Sequence, residues 1–248
     1  MVAKMAFKPA EADAQAANTP RARLTPVPRQ TVQDRVYSEL RRALIFGLFD
    51  PGQVLTIQEL ADSLQTSTMP VREALGRLIS EKALEALANR SVRVPLASAE
   101  RIDDLLHARL TIEGAALELA VQRLSAADIQ RLSDMTDAYD AAPGTADDDQ
   151  VRIGIELNQA FHFTIYHASG SAVLIPIIES LWLQSGPYVR AAAIAFAHAS
   201  GVKATHFHRE IIAALQAKDI SAAKAALARD IGRAFDLVRE RARKQDRQ

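Results

Sequence analysis

The chain has 248 residues, 48% of them apolar, with 30 Lys and Arg against 30 Asp and Glu and no cysteine. That length holds one large domain or two modest ones, and the missing cysteines exclude disulfides, thiolate metal sites and a cysteine nucleophile. The zero net charge leaves nucleic-acid binding open, because such binding depends on a local basic face rather than on the sum. No apolar run approaches the ~20 residues needed to span a bilayer, and the N-terminus lacks the apolar core of a signal peptide. A cytoplasmic protein with no membrane partner is expected.

Residues 1–28 are rich in Ala, Pro and polar side chains and show no period, which predicts a disordered tail. Lys4, Lys8, Arg21, Arg23 and Arg29 outnumber Glu11 and Asp13. The tail is either a basic arm for a DNA backbone or a solvated leader.

Residues 29–97 read as one domain. Thr31 and Asp34 form a capping box that opens a helix to about Phe46. Val32, Val36, Leu40, Ala43 and Leu44 form its buried side, and Gly47 then Asp50-Pro51-Gly52 turn the chain. Arg35, Arg41 and Arg42 face outward, either as an ordinary solvated surface or with one or two of them reaching DNA phosphates. Thr56 with Glu59 starts a second helix with Leu60, Ala61 and Leu64 on its apolar face. Gln65 and Thr66 make a tight turn, and Ser67 caps a third helix that tolerates Pro70 in its first turn. Val71, Ala74, Leu75 and Leu78 recur at helical spacing, which leaves Thr68, Met69, Arg72 and Arg77 outward. Two short strands are expected at residues 83–87 and 92–95, around the turn Ala88-Asn89-Arg90-Ser91.

Helix, turn, helix and basic hairpin in this order predict a winged helix. A capped helix with small polar groups and an Arg near its exposed N-terminus suits a DNA major groove. The expected DNA contacts are Ser67, Thr68, Met69 and Arg72 in the groove, Arg90 and Ser91 at the wing, and Gln58 as a helper.

ELADSL, STMPVREALGRL and NRSVRV, with LRRALIFGLFDPGQVL ahead of them, resemble the GntR family of bacterial transcription regulators from about Gln30 to Val94. The turn departs from the family's frequent Gly-Val, with Gln65 and Thr66 instead, and Thr68 stands where an Arg is often found. The resemblance implies double-stranded DNA as partner, with an operator preference of its own.

From Ser98 onward only helices are predicted, at about 99–123, 126–141, 149–168, 172–198, 202–217 and 220–243. Ser125 with Asp128 is a capping box; Pro143-Gly144 and Ser169-Gly170 are stops. Pro187 should kink or break its helix near Gly186. The fold class is mainly α: an N-terminal winged helix-turn-helix and a C-terminal antiparallel helical bundle over residues 98–243. A homodimer formed by the bundle, reading a pseudo-palindromic site, follows from the few contacts that one small winged helix offers.

Several polar residues lie on apolar stripes of the bundle. Asn158 and His162 share a face with Val151, Ile155 and Ile165. His208 stands with Ile211, Ile212 and Leu215, while His206 lies about 200° round that helix. Asp230 flanks Leu227, Ile231, Ala234 and Val238. Buried polar groups need partners. One divalent cation would satisfy two imidazoles, an amide oxygen and a carboxylate; separately satisfied core residues are the alternative. LNQAFHFTIYHASGS and HREIIAALQAKDISAAKAALARD resemble the helical effector-binding domain, called FCD, of the FadR-type branch of that family. Many members of the branch hold a divalent metal with an Asp and three His. The matching positions here are Asn158, His162, His208 and Asp230, so the first and last ligands differ from the usual set. Zn, Ni and Mn are the candidate ions.

Arg109 follows the apolar face of the first bundle helix with Glu113 four residues on. It is either an internal ion pair or a fork for an effector carboxylate. Tyr188 and Arg190, and more weakly Gln184 and Ser185, are further effector candidates. The expected function is a DNA-binding regulator controlled by a small carboxylate metabolite. A metal-dependent hydrolase or isomerase using His162, His208 and Asp230 is the alternative, but no general base, H-E-x-x-H or paired E-x-x-H motif accompanies the cluster.

Overall fold

The computed structural model describes residues 31–88, 91–141, 148–198 and 205–245. Among them are nine α-helices and one small sheet. The N-terminal tail, the tip of the wing at Asn89 and Arg90, and the stop at Pro143-Gly144 lie outside the described residues.

Helix α1 spans Val32–Ile45 and begins at the capping box, with the Asp34 amide donating to the Thr31 hydroxyl at 3.2 Å. Val36, Leu40, Ala43 and Leu44 are buried as the period requires. Val32 is the exception at 57% exposed, because the first turn projects beyond the core it was expected to join. Strand β1, Val54–Thr56, has no signature of its own in the sequence. It exists because it pairs with the wing. Helix α2 is Ile57–Ser63, with the Thr56–Glu59 box intact, and α3 is Thr68–Ser80. Gln65 takes φ +49 in the turn between them, a left-handed conformation that costs a side-chain-bearing residue roughly 1–2 kcal/mol. Ser67 occupies the N-cap of α3 but makes no side-chain cap bond.

The wing consists of β2, Glu85–Ala86, and β3, Ser91–Arg93, shorter than the expected strands. The sheet order is β1-β3-β2, antiparallel throughout, with Leu55 opposite Val92 and Glu85 opposite Arg93. The Arg93 and Glu85 side chains pair across the strands at 2.6 Å. Pro95 falls outside β3, consistent with its having no N–H to give a ladder.

The bundle comprises α4 (Ala99–Val121), α5 (Ala126–Ala141), α6 (Asp148–Ala168), α7 (Leu174–His198), α8 (His206–Gln216) and α9 (Ile220–Gln245). Ser98 caps α4, and Ser125 and Asp128 cap α5. Ile102, Leu117, Phe161, Ile165, Trp182, Ile211, Leu227 and Phe235 anchor a single core. Helix α7 runs unbroken through Pro187, so of the expected kink or break the break does not occur. Tertiary packing holds it on both sides. Leu183 enters the winged-helix core, and the α1 backbone lies so close to Gly186 that a Cβ there would collide with the Leu44 carbonyl oxygen. No helix among the described residues is long and apolar enough to cross a membrane.

Candidate functional site

Two regions carry chemistry. The first is the outer face of the winged helix. Ser67, Met69 and Arg72 are exposed at the start of α3, Met69 at 59%, with Thr68 half-buried between them. Arg72 has no ion pair among the described residues, whereas Arg77 is tied to Asp34 at 3.4 Å and lies 3.6 Å over the Tyr37 ring. Arg41 pairs with Glu179 and Arg42 with Glu39, which makes them a neutralised surface. Gln58 is exposed and bonded to Asp62, and Ser91 donates to the Ala88 carbonyl. Arg90 lies outside the described residues.

The second region is inside the bundle. Helix α6 supplies Asn158 and His162, α8 supplies His208 and α9 supplies Asp230. His162 Nε2 is 3.0 Å from Asp230 Oδ2, and His208 Nε2 is 3.9 Å from the same oxygen and 3.1 Å from Asn158 Oδ1. The imidazoles meet edge to face, 5.2 Å between centroids, and His208 stacks on Phe161 at 3.9 Å. His206 is half exposed and pairs with Glu210, away from the cluster.

The electrostatics suit a cation. Burial pulls the His208 pKa down to about 4, so its ring is neutral near pH 7 and offers a lone pair. Burial alone would raise the Asp230 carboxyl, but His208, His162 and Arg109 outweigh it and hold it below the usual range. Donors bound at about 2.1 Å to one ion lie roughly 3.0–3.4 Å apart in octahedral or tetrahedral geometry. Ligand atoms of His162, His208 and Asp230 all fall within 4.8 Å of one another. The 3.0 and 3.1 Å separations match that spacing and the 3.9 Å one exceeds it, so an ion would draw His208 inward; in donor chemistry the set suits one divalent ion, with the neutral Asn158 oxygen as its weakest member.

A cavity of about 50 Å³ adjoins the cluster and is lined by Arg109, Tyr139, Asn158, Trp182 and Arg233 among others. Tyr139 and Trp182 were not singled out in the sequence; Trp182 is the chain's one tryptophan, and that was the available signal. Trp182 Nε1 is buried without a hydrogen-bond partner, and burial pushes the Tyr139 hydroxyl up to about 12. Both are donors at neutral pH. Arg109 is 3% exposed and clamped by Glu113, Nε to Oε1 at 2.5 Å and Nη2 to Oε2 at 3.2 Å. It borders the cavity with its guanidinium 4.6 Å over the Trp182 ring. Tyr188 and Arg190 are not brought to this cavity. Val189, Ala192 and Ala193 turn that way, and the neighbouring positions are rotated off by about 100° each. Tyr188 packs on Phe235 instead, and the Arg190 Cβ lies beside Gly47. Gln184 accepts from Arg101, and Ser185 donates to the Leu181 carbonyl. Larger clefts of about 690 and 420 Å³ lie between α1 and α6–α7, but their charges include the paired Arg41 and Glu179.

A winged helix with an outward-polar reading helix, joined to a bundle with a polar interior, defines a DNA-binding transcription regulator. Residues 32–94 match the bacterial regulatory proteins of the gntR family, and residues 104–233 match the FCD domain. The chain is 32% identical over 185 residues to the HTH-type transcriptional regulator McbR of Escherichia coli, covering 75% of this chain and 82% of that protein. It is 27% identical over 210 residues to the E. coli HTH-type transcriptional repressor GlaR, covering 82% and 89%. The solved structure of E. coli McbR/YncC superposes with a TM-score of 0.73 at 28% identity, covering 86% of this chain and 99% of that one. The chain belongs to the GntR family and carries an FCD domain. It is a regulator and not an enzyme, so the hydrolase or isomerase alternative is set aside.

Proposed function

We propose that this regulator, a cytoplasmic homodimer of the FadR-type branch, reads a pseudo-palindromic operator. Its affinity is set by a small carboxylate bound beside one divalent ion, Zn, Ni or Mn. Residues 29–97 read the DNA through Gln58, Ser67, Thr68, Met69, Arg72, Arg90 and Ser91. Residues 98–243 hold the ion, with His162, His208, Asp230 and Asn158 as ligands, and form the dimer.

The observation that carries this reading is the meeting of two imidazoles and a carboxylate from three helices beside a small cavity. An exchangeable carboxylate completes the coordination of such an ion and finds N–H and O–H donors at Trp182 and Tyr139. About 50 Å³ of space admits about three or four waters, or a ligand of a few heavy atoms. A larger metabolite requires α7 to shift. The test is elemental analysis of protein purified without chelator, followed by thermal shift with EDTA, each ion and short carboxylates. Less than about a tenth of an equivalent of any transition metal, with no stabilisation by added Zn, Ni or Mn, sinks the ion.

A further inference from the structure

We propose that Tyr166, held by Glu113, is a positioning residue that dictates which nitrogen of His162 faces Asp230. The purpose of that arrangement depends on the cation reading above; its existence depends only on hydrogen-bond donors and acceptors. Glu113 is fully buried, and both of its oxygens accept N–H groups from Arg109. That pairing uses its oxygens as acceptors, and the Tyr166 hydroxyl makes a short bond to Glu113 Oε2. A hydroxyl has one proton to give. With that proton committed to Glu113, the Tyr166 oxygen can only accept from His162 Nδ1, which lies 3.3 Å away. Nδ1 therefore carries an imidazole proton.

The consequence appears on the other side of the ring. With Nδ1 given to Tyr166, Nε2 is the nitrogen turned toward Asp230 Oδ2 at 3.0 Å. What bridges that pair is positive: an N–H proton in the metal-free ring, or a cation that takes its place. A divalent ion is such a cation, and metal-binding imidazoles usually donate their other N–H to such an outer partner. His208 is not preset in this way. Its Nδ1 is buried without a partner, and the ring is oriented by stacking on Phe161 and by the Nε2 contact with Asn158 Oδ1. The site is thus asymmetric, with His162 prepared for a cation and His208 adapting to it.

The test is two-bond proton–nitrogen NMR of metal-free, histidine-labelled full chain near neutral pH, with His162→Gln used to assign the signal. Nδ1 of His162 is expected to be protonated in the wild type. In Tyr166→Phe the acceptor is gone, Nδ1 loses its proton and only Nε2 keeps one, toward Asp230, and Zn²⁺ affinity by calorimetry drops roughly 10–100-fold. A bare Nδ1 in the wild type overturns the proposal, and this measurement stands even if the variant does not fold. Unchanged protonation in Tyr166→Phe also overturns it, including when affinity falls, since packing alone then explains the loss. A wild type that binds no Zn²⁺, Ni²⁺ or Mn²⁺ defeats the cation reading and leaves the proton assignment intact.

Discussion

Trp182 and Leu183 are neighbours in the chain and belong to different cores. Trp182 packs inside the bundle, 5.6 Å from the His162 ring, while Leu183 is buried as part of the winged-helix core that also holds Leu44, Val71 and Leu78. Helix α7 is therefore a wall of both domains. Any shift of α7 that follows occupancy of the cavity has to be absorbed where α7 meets α1. Cores are close-packed and tend to switch between discrete packings rather than deform smoothly.

Gly186 is the tightest point of that junction, with the Leu44 and Ile45 carbonyl oxygens against the position of an added Cβ. Gly186→Ala is expected to push α1 from α7 and cost about 1–3 kcal/mol, as overpacking does. Calorimetry should show a lower Tm. A variant as stable as wild type contradicts the close approach.

Arg72 is exposed at the front of α3, whereas Arg77 is committed to Asp34 and Tyr37. Arg72→Ala is expected to weaken operator binding by about 1–3 kcal/mol, roughly 5–150-fold. Arg77→Ala should change sequence discrimination little. Gel-shift titrations of both variants on one operator decide it, and equal losses refute the distinction.

Arg109 and Glu113 form a buried pair. Removing one partner leaves an uncompensated charge, which costs about 3–5 kcal/mol. Arg109→Ala should unfold earlier by on the order of 10 °C, while Arg109→Met with Glu113→Gln recovers part of the loss. Denaturation curves of single and double variants measure the coupling.

His208 is buried as the neutral ring, its pKa lowered from 6.5 to about 4. The unfolded chain takes up a proton below about 6.5 and the folded chain does not until about 4, so the unfolded state gains as pH falls through that window. In EDTA-treated protein this group removes up to about 3 kcal/mol between pH 7 and 4. His208→Gln should flatten that part of the stability profile, measured by urea unfolding at stepped pH.

Much of the fold was legible because its signals are local. The boxes Thr31–Asp34, Thr56–Glu59 and Ser125–Asp128 each close within three residues, and the helices start where they stand. The stripe that carries Asn158 and His162 was readable for the same reason, being one face of one helix. Tyr166 is one turn further along that helix and was overlooked, because a tyrosine on an apolar stripe looks like ordinary core.

The tertiary structure decided the rest. Strand β1 is three residues long and exists through pairing with β3, so no local pattern announces it. Continuity of α7 through Pro187 depends on contacts with α1, far away in sequence, that outweigh the local cost of a proline. Burial of Arg109 against Glu113 and Trp182, and the turning of Tyr188 and Arg190 away from the cavity, depend on how α4, α7 and α9 rotate against one another. His208 reaches Asn158 across 50 residues. A sequence shows which groups a helix face presents, through hydrogen bonds and periods of three or four residues. Which faces meet is a property of packing whole helices together, and that alone placed four polar side chains around one point.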